Sequence, residues 1–186
     1  DTKENKWWKF WSTPRFERKK FEADKNLLTQ FYRKKGYLDA EILSDSTWYS
    51  EDKKNIYIQI NLREGEQYKI RTINWEGATV YSSETLNERL GFLTGMIYDE
   101  EKFEKNLRGN EDQSDVASLY LDNGYLRFNL DTEIKRVGND SLDITIHIYE
   151  RNQFRIGHVD IKGNTKTRDN VIRRELYTRP GDYFSR

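Results

Sequence analysis

Residues 64–77 read Glu64-Gly65-Glu66-Gln67-Tyr68-Lys69-Ile70-Arg71-Thr72-Ile73-Asn74-Trp75-Glu76-Gly77. The same pattern returns as Glu150-Arg151-Asn152-Gln153-Phe154-Arg155-Ile156-Gly157-His158-Val159-Asp160-Ile161-Lys162-Gly163, at a constant spacing of 86 residues (150 − 64 and 163 − 77). Each copy reads as the end of one strand, a short connection and the first strand of the next unit. The spacing indicates tandem repeats, and this stretch is the joint between consecutive repeats.

The composition fits small cores in series better than one deep core. Of the 186 residues, 34% are charged and 35% are hydrophobic, which suits shallow cores with much exposed surface. Lys and Arg total 32, as do Asp and Glu, so the net charge is zero. The chain as a whole therefore lacks the positive charge typical of a nucleic-acid-binding protein. There is no cysteine, which excludes disulfides and cysteine metal sites. No apolar run approaches membrane-spanning length.

The pattern before the first joint predicts one helix and two strands. Apolar residues recur at a helical period over Phe16–Lys35, and Gly36 is placed to end the helix. Alternation then predicts strands over Ala40–Trp48, charged like an edge strand, and over 56–62. The second of these alternates most regularly, and we expect its apolar side chains to be buried in a central strand; they are Ile56, Ile58, Ile60 and Leu62.

The stretch between the two joints forms one complete β-α-α-β-β repeat. It opens with a strand over Tyr68–Glu76, followed by a short helix over Ser82–Leu90 and a long helix from Asp99 to Asn123. Gly109-Asn110 falls inside the long helix and argues against its continuity. The last two strands carry the alternating apolar residues Phe128, Leu130 and Ile134, and then Leu142, Ile144, Ile146 and Ile148.

We therefore predict an α+β fold of tandem repeats, each a three-stranded mixed sheet with two helices on one face. The predicted domains are 1–66, the back part of one repeat; 67–150, a whole repeat; and 151–186, the front part of the next. Near the start, Trp7, Trp8 and Trp11 crowd among lysines. These rings either complete the core of the first repeat or anchor it at a membrane interface.

The residues give no support for an enzyme, a metal site or a cofactor. His147 and His158 have no second histidine nearby in sequence, so both are expected at the surface. The acidic pair Glu100-Glu101 falls on a charged helix and fits a solvated face. Basic clusters at Arg18-Lys19-Lys20 and over 168–179 leave nucleic-acid binding as a weaker alternative, since acidic residues are interleaved.

Together these features resemble the POTRA domain family. The resemblance rests on Glu-Gly at a joint, Gly-Asn after a first strand, and Tyr-x-x-x-Gly-Tyr at the end of a helix. These motifs are Glu64-Gly65, Gly163-Asn164, Tyr32 with Gly36-Tyr37, and Tyr120 with Gly124-Tyr125. The segment 163–176 is similar to the start of the POTRA domain nearest the barrel. The sequence departs from the pattern at Gly77-Ala78, Glu150-Arg151 and Gly109-Asn110.

This resemblance implies a setting and partners. POTRA arrays form the periplasmic arm of BamA-type outer-membrane assembly factors, so we expect location at the periplasmic face of the outer membrane, with a C-terminal barrel beyond this sequence. The implied partners are unfolded outer-membrane proteins, assembly-complex lipoproteins and periplasmic chaperones, with no nucleic acid. The alternatives are the same arm in a protein-secretion or translocation transporter, or a structural spacer.

In the POTRA arrangement the last strand is central and the strand before it lies at an edge. An open edge binds an extended peptide through main-chain hydrogen bonds, a mode called β-augmentation. The expected binding edge comprises Phe128, Asn129, Leu130, Asp131, Thr132, Glu133 and Ile134. A secondary edge comprises Ala40, Glu41, Ile42, Leu43 and Ser44. Arg168, Arg173 and Arg174 form a possible docking surface.

Overall fold

A computed structural model describes residues 16–185, which contain five helices and five strands. The helices are α1 (Arg18–Lys34), α2 (Ser83–Leu90), α3 (Glu100–Arg108), α4 (Val116–Leu121) and α5 (Asp169–Glu175). The strands are β1 (Glu41–Tyr49), β2 (Ile56–Arg63), β3 (Lys69–Glu76), β4 (Asn129–Val137) and β5 (Ser141–Tyr149). The tryptophan cluster of residues 7–11 lies outside the described residues.

The strands form two sheets. The antiparallel pair β1 and β2 makes one, and the other has the order β3-β5-β4. Contacts between β3 and β5 advance together along both strands, from Arg71 with Asp143 to Glu76 with His147, so these two strands run parallel. The α+β fold with a mixed three-stranded sheet is confirmed. The last strand is central and β4 lies at an edge, as expected.

The chain divides into two compact units. One contains the described residues up to Ile70, with Gly95–Lys102 and Arg136–Leu142; the other contains Arg71–Thr94, Phe103–Lys135 and the residues from Asp143 onward. The predicted domains 1–66, 67–150 and 151–186 stay a prediction.

The core of the second unit lies between the sheet and its helices. Along β5 every second side chain is buried, because the alternation of a strand directs one set of side chains toward the helices. The helices contribute apolar residues three or four positions apart. The buried side chains of this core are Leu86, Leu90, Phe92, Phe103, Leu107, Val116, Tyr120, Leu130, Ile144, Ile146 and Ile148.

The predicted long helix over 99–123 is wrong, because the structure has two helices there. After α3 the chain passes through Gly109, and Asp115 then starts α4 as its N-cap by accepting from the Ser118 N–H at 2.9 Å. The Asp115 carboxylate also accepts from the Asn110 N–H at 3.3 Å and is itself 3% exposed. A buried cap of this kind stabilises a new helix start, which explains the break at Gly109-Asn110.

The expected burial of β2 is also wrong. Ile58 is 37% exposed, and Ile56, Ile60 and Leu62 are half-buried. Within residues 16–185, β2 pairs with β1 alone, so it is not a central strand there. Regular alternation shows which face of a strand is apolar, but it does not show what covers that face.

We expect Ile146→Asp to unfold the second unit. Ile146 is 0% exposed, and an unpaired carboxylate on a packed face costs at least about 3 kcal/mol of unfolding free energy. Urea unfolding followed by circular dichroism measures the change. The control is Thr145→Asp, on the half-buried outer face of the same strand. Equal midpoints for the two variants would contradict the assignment of faces.

Candidate functional site

Over residues 129–132 the edge strand β4 alternates between exposed polar side chains and side chains that face the core. Asn129, Asp131 and Glu133 are exposed, whereas Leu130 is 4% exposed and Thr132 is half-buried. At the two ends of the predicted binding stretch, Phe128 is half-buried and Ile134 is 40% exposed. Of the predicted edge residues, those from Asn129 to Ile134 lie in β4, whereas Phe128 lies just before the strand. Charged side chains on such an edge discourage self-association while leaving main-chain groups available.

One hydrogen bond indicates which amides of β4 point outward. The Thr132 N–H donates to the Asp131 carboxylate at 3.0 Å, so we infer that it faces away from β5. In an antiparallel edge strand, alternate residues direct their N–H and C=O groups to the same side. The amides of Leu130 and Ile134 therefore share the outward side with Thr132, and those of Asp131 and Glu133 face β5.

The outer face of the sheet carries two rows of polar side-chain contacts. In one row the Asp143 carboxylate pairs with the Arg71 guanidinium and accepts from the Thr72 hydroxyl at 2.8 Å. These hydrogen bonds, from Arg71 first and then Thr72, lower the pKa of Asp143 to about 2. In the other row the His147 ring lies 3.1 Å from Glu76 and 3.6 Å from Glu133. The second row links β4 to both other strands.

The secondary edge, β1, is irregular. Its pairing with β2 shifts between Ile42 and Ser44, which leaves Leu43 without a partner in the register. Ala40 is 5% exposed and Ile42 is half-buried, whereas Glu41, Leu43 and Ser44 are exposed. A bulge twists an edge and interrupts its row of main-chain groups, so β1 offers a shorter regular edge than β4.

The predicted arginine surface lies on and before α5. Arg168, Arg173 and Arg174 are exposed, and α5 has no buried residue. Arg173 donates to the Val159 carbonyl at 2.9 Å, and Arg174 donates to Glu175 at 3.1 Å.

The joints use the same hydrogen bonds in both copies, which sequence reasoning did not find. At the first joint, made by residues 32–41 and 63–70, the Tyr68 N–H donates to the Gly36 carbonyl at 2.9 Å, and the Gln67 amide donates to the Lys35 carbonyl at 2.8 Å. At the second joint, made by residues 120–128 and 150–156, Phe154 donates to Gly124 at 2.7 Å and Gln153 donates to Asn123 at 2.8 Å. The available signal was the glutamine that precedes the aromatic residue in both copies.

Glycine is required where the two chain segments of each joint meet. Gly36 and Gly124 have φ angles of +89° and +85°, in the left-handed region that side chains disfavour. A Cβ atom at Gly124 would lie 2.6 Å from the Phe154 carbonyl oxygen, and one at Gly36 would lie 3.2 Å from the Tyr68 carbonyl oxygen. The Gly-Tyr motif therefore serves both helix termination and close contact between repeats.

At each joint a carboxylate accepts a hydrogen bond from a tyrosine hydroxyl. The Tyr32 hydroxyl donates to Glu64 at 3.0 Å, and the Tyr120 hydroxyl donates to Glu150 at 3.2 Å. Burial raises the pKa of Glu150, but hydrogen bonds from Thr79, Val80 and Tyr120 outweigh this effect and lower it. Glu150 thus acts as a structural acceptor.

In residues 16–185, no group of three or more His, Asp and Glu side chains is placed to share a metal ion. His158 lies 2.8 Å from Asp160 at the surface. Among the described helices, none has both the length and the apolar character needed to cross a bilayer.

The POTRA family model, described as "Surface antigen variable number repeat", matches residues 4–65, 68–151 and 154–186. The chain is 30% identical over 164 residues to the outer membrane protein assembly factor BamA of Neisseria meningitidis serogroup B, covering 87% of this chain and 20% of that protein. It is 27% identical over 173 residues to BamA of Neorickettsia risticii, covering 91% of this chain and 22% of that protein. The chain therefore spans about a fifth of the length of these curated relatives.

A solved structure supports the fold. The Haemophilus influenzae BamA POTRA3-5 crystal structure superposes with a TM-score of 0.57 at 20% identity, covering 93% of this chain and 66% of that chain.

We expect the contribution of Asp143 to stability to depend on acid pH. Its folded pKa of about 2 lies below its unfolded value, so its contribution is present above about pH 4 and is lost as the pH falls toward 2. Asp143→Asn should therefore destabilise the protein at about pH 6 and have little effect at about pH 2. Urea midpoints at both pH values measure this; a difference between wild type and variant that does not shrink with acid would contradict it.

Proposed function

This chain belongs to the POTRA family, and on that premise we propose that it forms part of a periplasmic arm that receives unfolded outer-membrane β-barrel proteins for assembly. The relatives from Neisseria meningitidis and Neorickettsia risticii are named as outer membrane protein assembly factors. The family membership and the open sheet edge both support a scaffold that binds other chains, with no catalytic step.

The observation that carries the proposal is the outward row of amides on β4. The amides of Leu130, Thr132 and Ile134 lie on one side of this edge strand. The hydrogen bond from the Thr132 N–H to the Asp131 carboxylate indicates that this side faces outward. Main-chain donors and acceptors recognise any extended segment with little demand on its sequence. This suits a receptor for many unfolded barrel strands, which differ in side chains but share a backbone.

Asp131 controls access to that row. Its carboxylate already accepts from the Thr132 N–H, so an incoming strand must displace it to make the corresponding main-chain bond. A carboxylate in this place lowers the affinity for any one strand and prevents pairing between two copies of the edge. Useful affinity then arises from several repeats acting on one client chain, with β1 as a weaker second edge.

The exposed arginines at 168, 173 and 174 are proposed as the docking surface for assembly-complex lipoproteins. Their support is exposure on a helix without buried residues, together with the strength of guanidinium–carboxylate pairing at protein interfaces. Periplasmic chaperones would deliver clients to the edges. A purely structural spacer would bind neither clients nor lipoproteins.

The main test of peptide binding to β4 removes one outward-facing main-chain N–H without disturbing the fold. Ile134→Pro removes an N–H from the outer side of β4, where proline is tolerated, and should weaken the binding of a barrel-strand peptide of about ten residues at least about tenfold. Ile134→Ala keeps the amide and should bind as the wild type does. NMR titration measures affinity and locates the peptide.

Two further variants sharpen the result. Asp131→Ala removes the internal acceptor of Thr132 and should strengthen peptide binding. Glu133→Pro removes an amide that faces β5 and should disturb the sheet itself. Equal binding by Ile134→Pro and Ile134→Ala would refute the edge mechanism, and shifts confined to 168–179 would favour an electrostatic docking surface. An absence of binding by the wild type would favour the spacer.

A further inference from the structure

The two joints share one main-chain arrangement but differ in one pair of side chains. The position three residues after the joint glycine is Asp39 at the first joint and Arg127 at the second. The aromatic residue that opens the next repeat is Tyr68 at the first joint and Phe154 at the second. Each pair is in contact, and the two contacts are of different chemical kinds.

At the first joint the contact is a hydrogen bond to a carboxylate. The Tyr68 hydroxyl donates to one Asp39 oxygen at 2.7 Å, and Arg136 donates to the other at 2.8 Å. The Arg136 guanidinium also lies over the Tyr68 ring, 5.5 Å from its centre. Tyr68 is 5% exposed, so its hydroxyl needs a protein acceptor, and the bond to Asp39 followed by burial raises the pKa of Tyr68.

At the second joint the contact is a cation over a ring. The Arg127 guanidinium lies 5.8 Å from the centre of the Phe154 ring. Phe154 has no hydroxyl, and a guanidinium has no acceptor to offer one. A ring face attracts a cation and repels a carboxylate. The aromatic residue and its partner therefore change together between the two joints.

We propose that these pairs are specificity-determining contacts between consecutive repeats: Asp39 selects a following repeat that begins with tyrosine, and Arg127 selects one that begins with phenylalanine. The recognised partner is the first aromatic side chain of the next repeat. These contacts are independent of client binding. Through them, the surface beside each joint glycine distinguishes one neighbouring repeat from another.

Each joint contains its own reporter of opening. The Tyr68 and Phe154 amides donate to the glycine carbonyls, so their hydrogen–deuterium exchange measures how often the first and second joints open. The amide of Ile146, in the buried central strand, reports global unfolding. NMR detection on the whole chain reads all three amides at once.

Removing the hydroxyl at the first joint is the primary test. Tyr68→Phe should raise exchange at amide 68 at least about tenfold, the effect of losing a bond to a charged acceptor, without changing exchange at amides 154 and 146. Asp39→Ala should give a rise of at least that size. The double variant Tyr68→Phe with Asp39→Ala should show less than the product of the two single effects, because the pair acts as one contact.

The reverse change at the second joint is the matched control. Phe154→Tyr alone should not slow exchange at amide 154, because Arg127 cannot accept its proton. Phe154→Tyr combined with Arg127→Asp should exchange more slowly there than Arg127→Asp alone. Three results would overturn the proposal: no change at amide 68 in Tyr68→Phe, a parallel rise at amide 146, or slower exchange at amide 154 in Phe154→Tyr alone.

Discussion

The pairing of β5 on both of its sides is the constraint on which the rest of the structure depends. Since β3 and β4 occupy the two sides of β5, its own main-chain groups are satisfied within the sheet, and its inner side chains form the centre of the core. The same arrangement fixes β4 as an edge. The strand that holds the repeat together thus determines which strand remains free to bind another chain.

Local patterns predicted those parts of the fold that local interactions produce. The alternation of Ile144, Ile146 and Ile148 identified a strand with one buried face, and the short helix predicted over Ser82–Leu90 is found as α2. The break between α3 and α4 was only suggested by Gly109-Asn110, because it depends on a buried cap at Asp115 that periodicity does not show. For β2, burial depends on which neighbour covers it, and sequence alternation carries no such information.

For the candidate site, too, the sequence predicted some features, and others required the structure. That β4 is an edge followed from the family resemblance, whereas the direction of its amides needed the contact between Asp131 and Thr132. The joint bonds connect residues about 30 positions apart, such as Gly124 and Phe154, and no local propensity encodes them. The sequence shows only that a glutamine followed by an aromatic residue occurs at both joints. The hydrogen-bond partners of these residues become evident only when the structure brings the two chain segments together.

The joint has one further consequence for how such chains grow. Each repeat accepts hydrogen bonds at its last helix end, through Gly36 or Gly124, and donates them with its first residues, through Tyr68 or Phe154. The donating and accepting surfaces are different, so the interface is heterologous, and a further repeat can be added through the same two surfaces. Duplication of a repeat supplies both surfaces at once, so the added repeat joins its neighbours through the same hydrogen bonds.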